Sequence, residues 1–242
     1  MLTGLYGVLH RLGHRDLTGP LANLRGTRPP FNLVVHQHYN PENITQYNIV
    51  PGLMGVVLTM TMVIITALAI TRERERGTME NLLAMPVRPI EVMIAKIVPY
   101  VVIGYIQVVL ILVAASIFFA LPIRGSVPLL LGALGLFIAS NLALGVTFST
   151  VAANQMQAVQ LAQFTLMPSF MLSGFMFPFR GMPVWAQALG EVFPTTHAMR
   201  IVRGMLLKGA GWAEIAPDLW PMALFTGAII VFATLVYRET LD

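Results

Sequence analysis

Long apolar runs dominate the chain, and short polar segments separate them. A helix needs about 20 apolar residues to cross the hydrocarbon core of a bilayer. Residues 48–70 and 97–121 meet this length without a charged residue, and a third run, 219–237, ends at Arg238 and Glu239. The pattern predicts that these three runs are transmembrane helices.

The middle of the chain is also uncharged. Residues 125–179 contain no Asp, Glu, Lys, Arg or His, and this stretch is too long for a single span. One asparagine and three glutamines cluster within 149–160, so we place a break there and predict spans at 128–148 and 161–177. The prediction is an all-α polytopic membrane protein with five transmembrane helices.

The segments between the spans have patterns of their own. Residues 1–47 show no clear core, although 31–38 alternate as a strand would. Residues 180–218 predict two short extracytoplasmic helices, at 184–192 and 196–207, because a proline precedes each and glycines follow the second.

The loop after the first span predicts a short amphipathic helix. Thr78 is a plausible N-cap, and Glu80 in the first turn favours the helix dipole. Met79, Leu82 and Leu83 share one apolar face. Such a helix, parallel to the membrane, offers a surface that another protein could bind. The alternative is a solvated loop whose arginines face lipid headgroups.

Composition supports a membrane protein. Apolar residues make up 56% of the chain and charged residues 11%, where a soluble domain has roughly 25% charged residues. The net charge of +4 in this setting reflects topology and headgroup contact, so it does not indicate nucleic-acid binding. The chain has no cysteine, which excludes disulfides and thiolate metal sites.

Charge gives an expected orientation. Arg72, Arg74 and Arg76 directly follow a span, which favours a cytoplasmic 72–96 loop, although the raw count of basic residues opposes it. With five spans, the N-terminal segment is then expected to be periplasmic and the C-terminus cytoplasmic.

Three separated motifs, in this order, resemble the ABC-2 type transporter permeases. Residues 40–55 read NPENITQYNIVPGLMG, 72–100 read RERERGTMENLLAMPVRPIEVMIAKIVPY, and 166–211 begin LMPSFMLSGFMFPF. The resemblance is closest to multidrug-efflux-like exporters with a large periplasmic domain. It implies a bacterial inner-membrane permease that exports a hydrophobic or amphipathic substrate.

The family usually has six spans and a large periplasmic domain after the first. By this resemblance the chain lacks the first helix, 1–47 is a remnant of that domain, and 48–242 is the membrane domain.

The resemblance also implies a coupling element that docks on a separate ABC ATP-binding subunit. Its residues here are Glu73, Gly77, Thr78, Glu80, Leu82, Leu83, Pro86 and Glu91. The chain has no phosphate-binding G-x-x-x-x-G-K-[ST] loop, so ATP is expected on that subunit, with no cofactor or metal on this chain. The implied partners are this subunit, a second permease copy or paralogue, and membrane lipid, but no nucleic acid.

Two further sets of residues are candidates. Leu172, Ser173, Gly174 and Pro178 form either a gate or re-entrant turn, as the family implies, or a plain helix end. Most polar residues within spans are expected to bond neighbouring helices. The better candidates for a substrate path are Gln107, Asn141 and Gln163.

Two other functions stay open. A membrane-embedded transferase would need an acid–base cluster at a membrane edge, and Glu191 with His197 is the only remote candidate. No acidic partner is expected near His197, so we assign it no catalytic role. An ion-coupled secondary carrier usually needs an ionisable group within a span, and none is present. His36 and His38 provide only two ligands and do not make a metal site.

Overall fold

The computed structural model describes residues 45–77 and 89–239, which are helical apart from short connections. Residues 1–44, with the predicted strand, and 78–88, with the predicted amphipathic helix, lie outside this range. Long helices alternate in direction, and two short helices pack at one end. We number the α-helices in chain order: α1 Thr45–Glu75, α2 Pro89–Phe119, α3 Val127–Val151, α4 Gln155–Leu172, α5 Val184–Gly190, α6 Pro194–Arg203 and α7 Trp212–Glu239.

Four of the described helices are long and apolar enough to cross a membrane: α1, α2, α3 and α7. The all-α membrane architecture is thereby confirmed, while the count of five spans stays a prediction. The remaining long helix, α4, has 18 residues and includes four glutamines and Pro168, which lower its hydropathy.

Several boundaries differ from the prediction. Helix α1 continues through the charged run to Glu75, because alternating arginine and glutamate are good helix formers. Helix α4 begins at Gln155 and ends at Leu172, so it starts six residues before the predicted span, and residues 173–177 of that span lie outside the helix. Helix α7 begins at Trp212, seven residues before the predicted span, with Pro217 and Pro221 inside it.

Helix α3 is the centre of the bundle. In its most apolar window 56% of the residues are buried, against 22% for α2 and 17% for α7. Gly145 permits the closest approach to α1, since a Cβ atom there would lie 2.7 Å from Thr66 Cβ and 2.8 Å from the Val63 carbonyl oxygen. Small residues at such crossings let membrane helices pack backbone to backbone.

Polar side chains inside the spans mostly form hydrogen bonds with a neighbouring helix or with the backbone of their own helix. The Ser140 and Thr226 hydroxyl oxygens lie 2.6 Å apart and join α3 to α7. Gln107 of α2 donates to Thr61 of α1 at 3.0 Å. These bonds fit the expectation that intramembrane polar groups find partners within the bundle.

The short helices lie at the end of the bundle where α4 ends and α7 begins. Their existence was predicted, although α5 ends at Gly190 and α6 at Arg203. A π-helix, Gly204–Lys208, follows α6, and Gly209 ends it with a positive φ of 71°. We call this end of the bundle the cap end, and the other end, where α1 and α3 finish, the α1–α2 end.

His197 is at the centre of an ionic cluster at the cap end. Its Nδ1 lies 2.9 Å from Asp218 Oδ1, and its Nε2 lies 2.9 Å from the Glu191 carbonyl oxygen. The expectation that His197 lacks an acidic partner was therefore wrong. Asp218 comes 21 residues later, at the start of α7, and only the folded chain brings the two together.

Both partners of the imidazole are acceptors, so His197 satisfies both only when both ring nitrogens carry a proton. Burial alone would lower the pKa of His197, but the hydrogen bonds to Asp218 and Glu191 and their negative charges outweigh it, so its pKa is raised. Arg200 neutralises the cluster: it donates to Glu191 Oε2 at 3.0 Å and lies over the Phe179 ring at 4.6 Å. The protonated histidine therefore fastens α6 to the start of α7.

Replacing Gly145 by leucine should push α1 away from α3. We expect overpacking of about 1–3 kcal/mol, observed as a lower midpoint of thermal unfolding in detergent. Gly132→Leu on the same helix is the matched control, because a Cβ atom there meets nothing within 4 Å. Equal midpoints for the two variants would contradict the close packing of α1 on α3.

The His197 cluster should make stability depend on pH. A histidine whose folded pKa is raised contributes its full stabilisation below the unfolded value of about 6.5 and loses it as pH rises through the folded pKa. The difference in unfolding midpoint between the protein and its His197→Gln variant should therefore be largest at about pH 6 and shrink as the pH rises above the unfolded pKa. A difference that grows with pH would show that the buried imidazole is neutral.

Candidate functional site

The predicted coupling residues are only partly within the described structure. Glu73 lies in the last turn of α1, and Gly77 follows that helix with a positive φ of 68°, a conformation that favours glycine. Glu91 lies in the first turn of α2. The other predicted residues, Thr78, Glu80, Leu82, Leu83 and Pro86, are outside the described residues, and their role stays a prediction.

The last turn of α1 is bound to the end of α3. Arg74 Nη1 donates to the carbonyl oxygens of Ser149 at 3.2 Å, Thr150 at 3.3 Å and Ala152 at 3.3 Å. The last carbonyls of a helix have no partner within it, and they form the negative end of its dipole. A guanidinium at this position both satisfies these acceptors and complements their charge.

The next residue binds the start of α4. Glu75 Oε1 accepts a hydrogen bond from the Gln155 backbone N–H at 2.7 Å, and Oε2 accepts one from the Gln155 side chain. The first N–H groups of a helix are the positive end of its dipole, which a carboxylate complements. We call Arg74 and Glu75, with these partners, the Arg74–Glu75 latch.

The connection between α3 and α4 is itself tightly held. Asn154 caps α4 by accepting from the Gln157 backbone N–H at 2.8 Å, and the Gln157 side chain accepts from the Ala153 N–H at 2.7 Å. The pair resembles a capping box, except that the Gln157 side chain bonds the N–H of the residue before the N-cap. The ends of α1, α3 and α4 are therefore fixed to one another.

The predicted gate residues form a sharp turn at the cap end. Leu172 ends α4, Ser173 caps it, and Gly174 has a positive φ of 82°. Arg203 of α6 donates to the Gly174 carbonyl oxygen at 3.2 Å. Pro178 precedes a short 3-10 helix, Phe179–Gly181. The turn exists where the sequence predicts it, and its role as a gate stays a prediction.

The turn also packs on α1. A Cβ atom at Gly52 would lie only 2.3 Å from Cδ2 of the Phe175 ring, so the absence of a side chain at Gly52 makes room for this ring. The contact joins the start of α1 to the chain that follows α4.

The three candidates for a substrate path are not brought together. Asn141 is fully buried in α3 and donates to the Phe137 carbonyl oxygen at 2.8 Å. Gln107 is half-buried against α1, and Gln163 is exposed on α4. Of the three, only Gln163 is exposed, and the role of all three in a substrate path stays a prediction.

An apolar groove lies between α3 and α7 at the cap end. Its volume is about 610 Å³, and its walls include Leu129, Leu136, Trp212 and Trp220. Gly132 and alanines on both helices leave the space between these larger side chains. Sequence reasoning missed this groove, because the lining residues come from two helices far apart in the chain.

Sequence reasoning also missed the latch and the His197 cluster. The alternation of arginine and glutamate in 72–76 was the only local signal for the latch, and it does not reveal which helix ends those side chains bind. Asp218 had no local signal, because a lone carboxylate before an apolar run is common at helix ends.

Several known proteins are similar to this chain. Two of them are named as probable multidrug ABC transporter permeases of Escherichia coli K12. YbhR is 30% identical over 218 residues, covering 89% of this chain and 59% of that protein. YbhS is 32% identical over 182 residues, covering 75% and 48%. The inner membrane transport permease YhhJ of the same strain is 30% identical over 244 aligned positions, covering 97% and 63%.

The chain thus spans between about half and just under two thirds of the length of these relatives. A family profile described as "ABC-2 family transporter protein" matches residues 9–235, which is most of the chain. Together with the apolar helices, this match shows that the chain is a multi-pass membrane protein and belongs to the ABC-2 family of transporter proteins.

Proposed function

We propose that the chain is the membrane-spanning permease subunit of an ATP-driven exporter in the bacterial inner membrane. A separate ABC ATP-binding subunit supplies the energy, and the permease converts its closure into movement of the spans. Nucleotide binding moves the coupling element, and the spans shift between inward-open and outward-open arrangements.

The distribution of ionisable side chains is the observation that supports this proposal best. The apolar stretches 49–71, 97–119, 127–151 and 219–234 contain no Asp, Glu, Lys, Arg or His. A carrier driven by protons or sodium ions usually needs such a group within its spans. Their absence favours energy that reaches the spans from outside the membrane.

The α1–α2 end has the structure that a mechanical input requires. Helix α1 is continuous up to Glu75, and its last turn is fixed to α3 and α4 through the latch. The coupling residues from Gly77 to Glu91 follow this fixed end, which we assign to the cytoplasmic side, and Glu73 lies in the turn of α1 that contains the latch. A force on the element therefore acts on three helices.

The exposed face of α4 supports pairing with a second permease, either a copy or a paralogue. Phe164 is 82% exposed and Met167 66% exposed, next to the exposed amides of Gln160 and Gln163. An amide without a partner in lipid costs several kcal/mol, so this mixed face suits contact with another polypeptide or a wet path better than contact with acyl chains.

The proposed substrate is hydrophobic or amphipathic. Two of the relatives are named as probable multidrug permeases. The groove between α3 and α7 is lined by apolar side chains, which suits such a substrate. Its volume is within the range of small-molecule sites, about 300–1,000 Å³.

The transferase alternative receives no support from its candidate pair. Both ring nitrogens of His197 already have partners, and the residue is only 4% exposed. A general base needs a free nitrogen within reach of the substrate. His197 and the Glu191 carboxylate are therefore both engaged in bonds within the fold.

Docking of the ATP-binding subunit can be tested by co-purification with a candidate subunit from the same organism. Glu80→Arg with Leu83→Asp should abolish co-purification, because it reverses the charge and removes the apolar face of the coupling element. Glu214→Arg with Leu189→Asp makes the same changes at exposed positions of the cap end and should retain the partner.

The reverse result, with the partner lost only in the cap-end variant, would place the docking site at the other membrane face. Retention in both variants would refute the assigned docking residues.

A further inference from the structure

The latch joins the last turn of α1 to two helix ends of opposite polarity. Arg74 is bound to the carbonyl end of α3, and Glu75 to the N–H end of α4. Only residues 152–154 separate these two helix ends. Gly77, whose left-handed backbone ends the helical run, lies two residues after Glu75. The latch is therefore the last fixed point before the segment that we assign to coupling.

The hydrogen bonds of the latch restrict how the end of α1 can move. Arg74 reaches three carbonyl oxygens, and Glu75 receives both the backbone and the side-chain N–H of Gln155. Rotation of the end of α1 about its axis would break one set or the other. Small movements of α1 are therefore passed to the start of α4 while the bonds persist.

Close packing extends this connection along α4. Ala67 of α1 and Ala158 of α4 are fully buried in one small cluster with Ala152. Farther along, Val63 of α1 and Ala162 of α4 are buried in a second cluster. Alanines at these positions let the helices lie close, and close-packed interiors transmit displacement with little compression.

The far end of α4 is the Gly174 turn. There Phe175 packs at Gly52 of α1, and Arg203 holds the Gly174 carbonyl oxygen. Helix α1 thus contacts α4 at the latch and in the two clusters, and it contacts the turn that follows α4 at the cap end. A displacement that enters at the latch can reach the turn through these contacts.

We infer that Arg74 and Glu75 are positioning residues that transmit movement of the coupling element to α4, and through α4 to the Gly174 turn. This inference rests on the proposed function, since it needs an ATP-binding subunit that moves the element. It makes the latch a joint for transmission, distinct from the surface that docks the partner.

The test uses the permease reconstituted with its ATP-binding subunit in liposomes, with transport of an amphipathic dye and ATP hydrolysis measured together. Arg74→Gln with Glu75→Gln removes both charges and leaves the net charge unchanged. The matched control is Arg76→Gln, an exposed arginine of the same segment that lies outside the latch. Arg74→Lys keeps the positive charge and serves as the milder variant.

Coupling free energies between sites typically correspond to about 5- to 150-fold effects. We expect the double variant to bind the ATP-binding subunit as before and to hydrolyse ATP at a near-normal basal rate. Transport per ATP should fall roughly tenfold. Arg74→Lys should recover part of this ratio, and Arg76→Gln should match the unaltered protein. A merely structural defect would instead lower the yield and both rates together.

A chemical cross-link gives an independent measurement, because the natural chain has no cysteine. A short reducible thiol cross-linker across Glu75→Cys and Gln155→Cys should restore the transport-to-ATP ratio, and reductant should lower it again.

Three results would overturn the inference. Unchanged transport per ATP in the double variant would show that the latch transmits nothing. Loss of the ATP-binding subunit from that variant alone would make the latch part of the docking surface. Failure of the unaltered chain to bind any ATP-binding subunit would refute the proposed function, and the inference with it.

Discussion

The cost of placing charge in an apolar medium determines how this protein is organised. An ionised side chain in the middle of a bilayer is expensive, so electrostatic interactions are confined to the ends of the helices. The apolar stretches of the four helices that are long enough to cross a membrane contain no charged residue, and the described charges lie in two layers. Between these layers, packing of small side chains and a few hydroxyl and amide bonds hold the bundle together.

The two layers use different chemistry. At the α1–α2 end, Arg74 and Glu75 bind the backbone ends of α3 and α4, so charges complement helix dipoles. At the cap end, side chains bind one another around His197, whose positive charge depends on pH. Ionic strength therefore acts mainly on the first layer and pH on the second.

The hydropathy pattern of the sequence predicts most of the helices, but it predicts neither the latch nor the His197 cluster. Runs without charge predicted the membrane helices, because the bilayer demands them over about 20 residues. The end of α1 was misplaced, because charged residues continue a helix as readily as they end one. The end of α4 was misplaced, because the turn at Gly174 interrupts an uncharged run that hydropathy reads as continuous. The latch joins residues 75 positions apart, and His197 meets Asp218 across 21. Such pairings depend on how the helices pack, which hydropathy does not encode.

Exposure gives a reason to regard the latch as a joint and not as a stabilising contact. Arg74 and Glu75 are both exposed, and exposed charges contribute little to stability because water and salt screen them. Yet together they bind three carbonyls and two N–H groups of one connection. His197, in contrast, is buried within its cluster and costs more to separate from its partners. This difference between the two ends fits the proposed function, in which the coupling end moves and the cap end stays assembled.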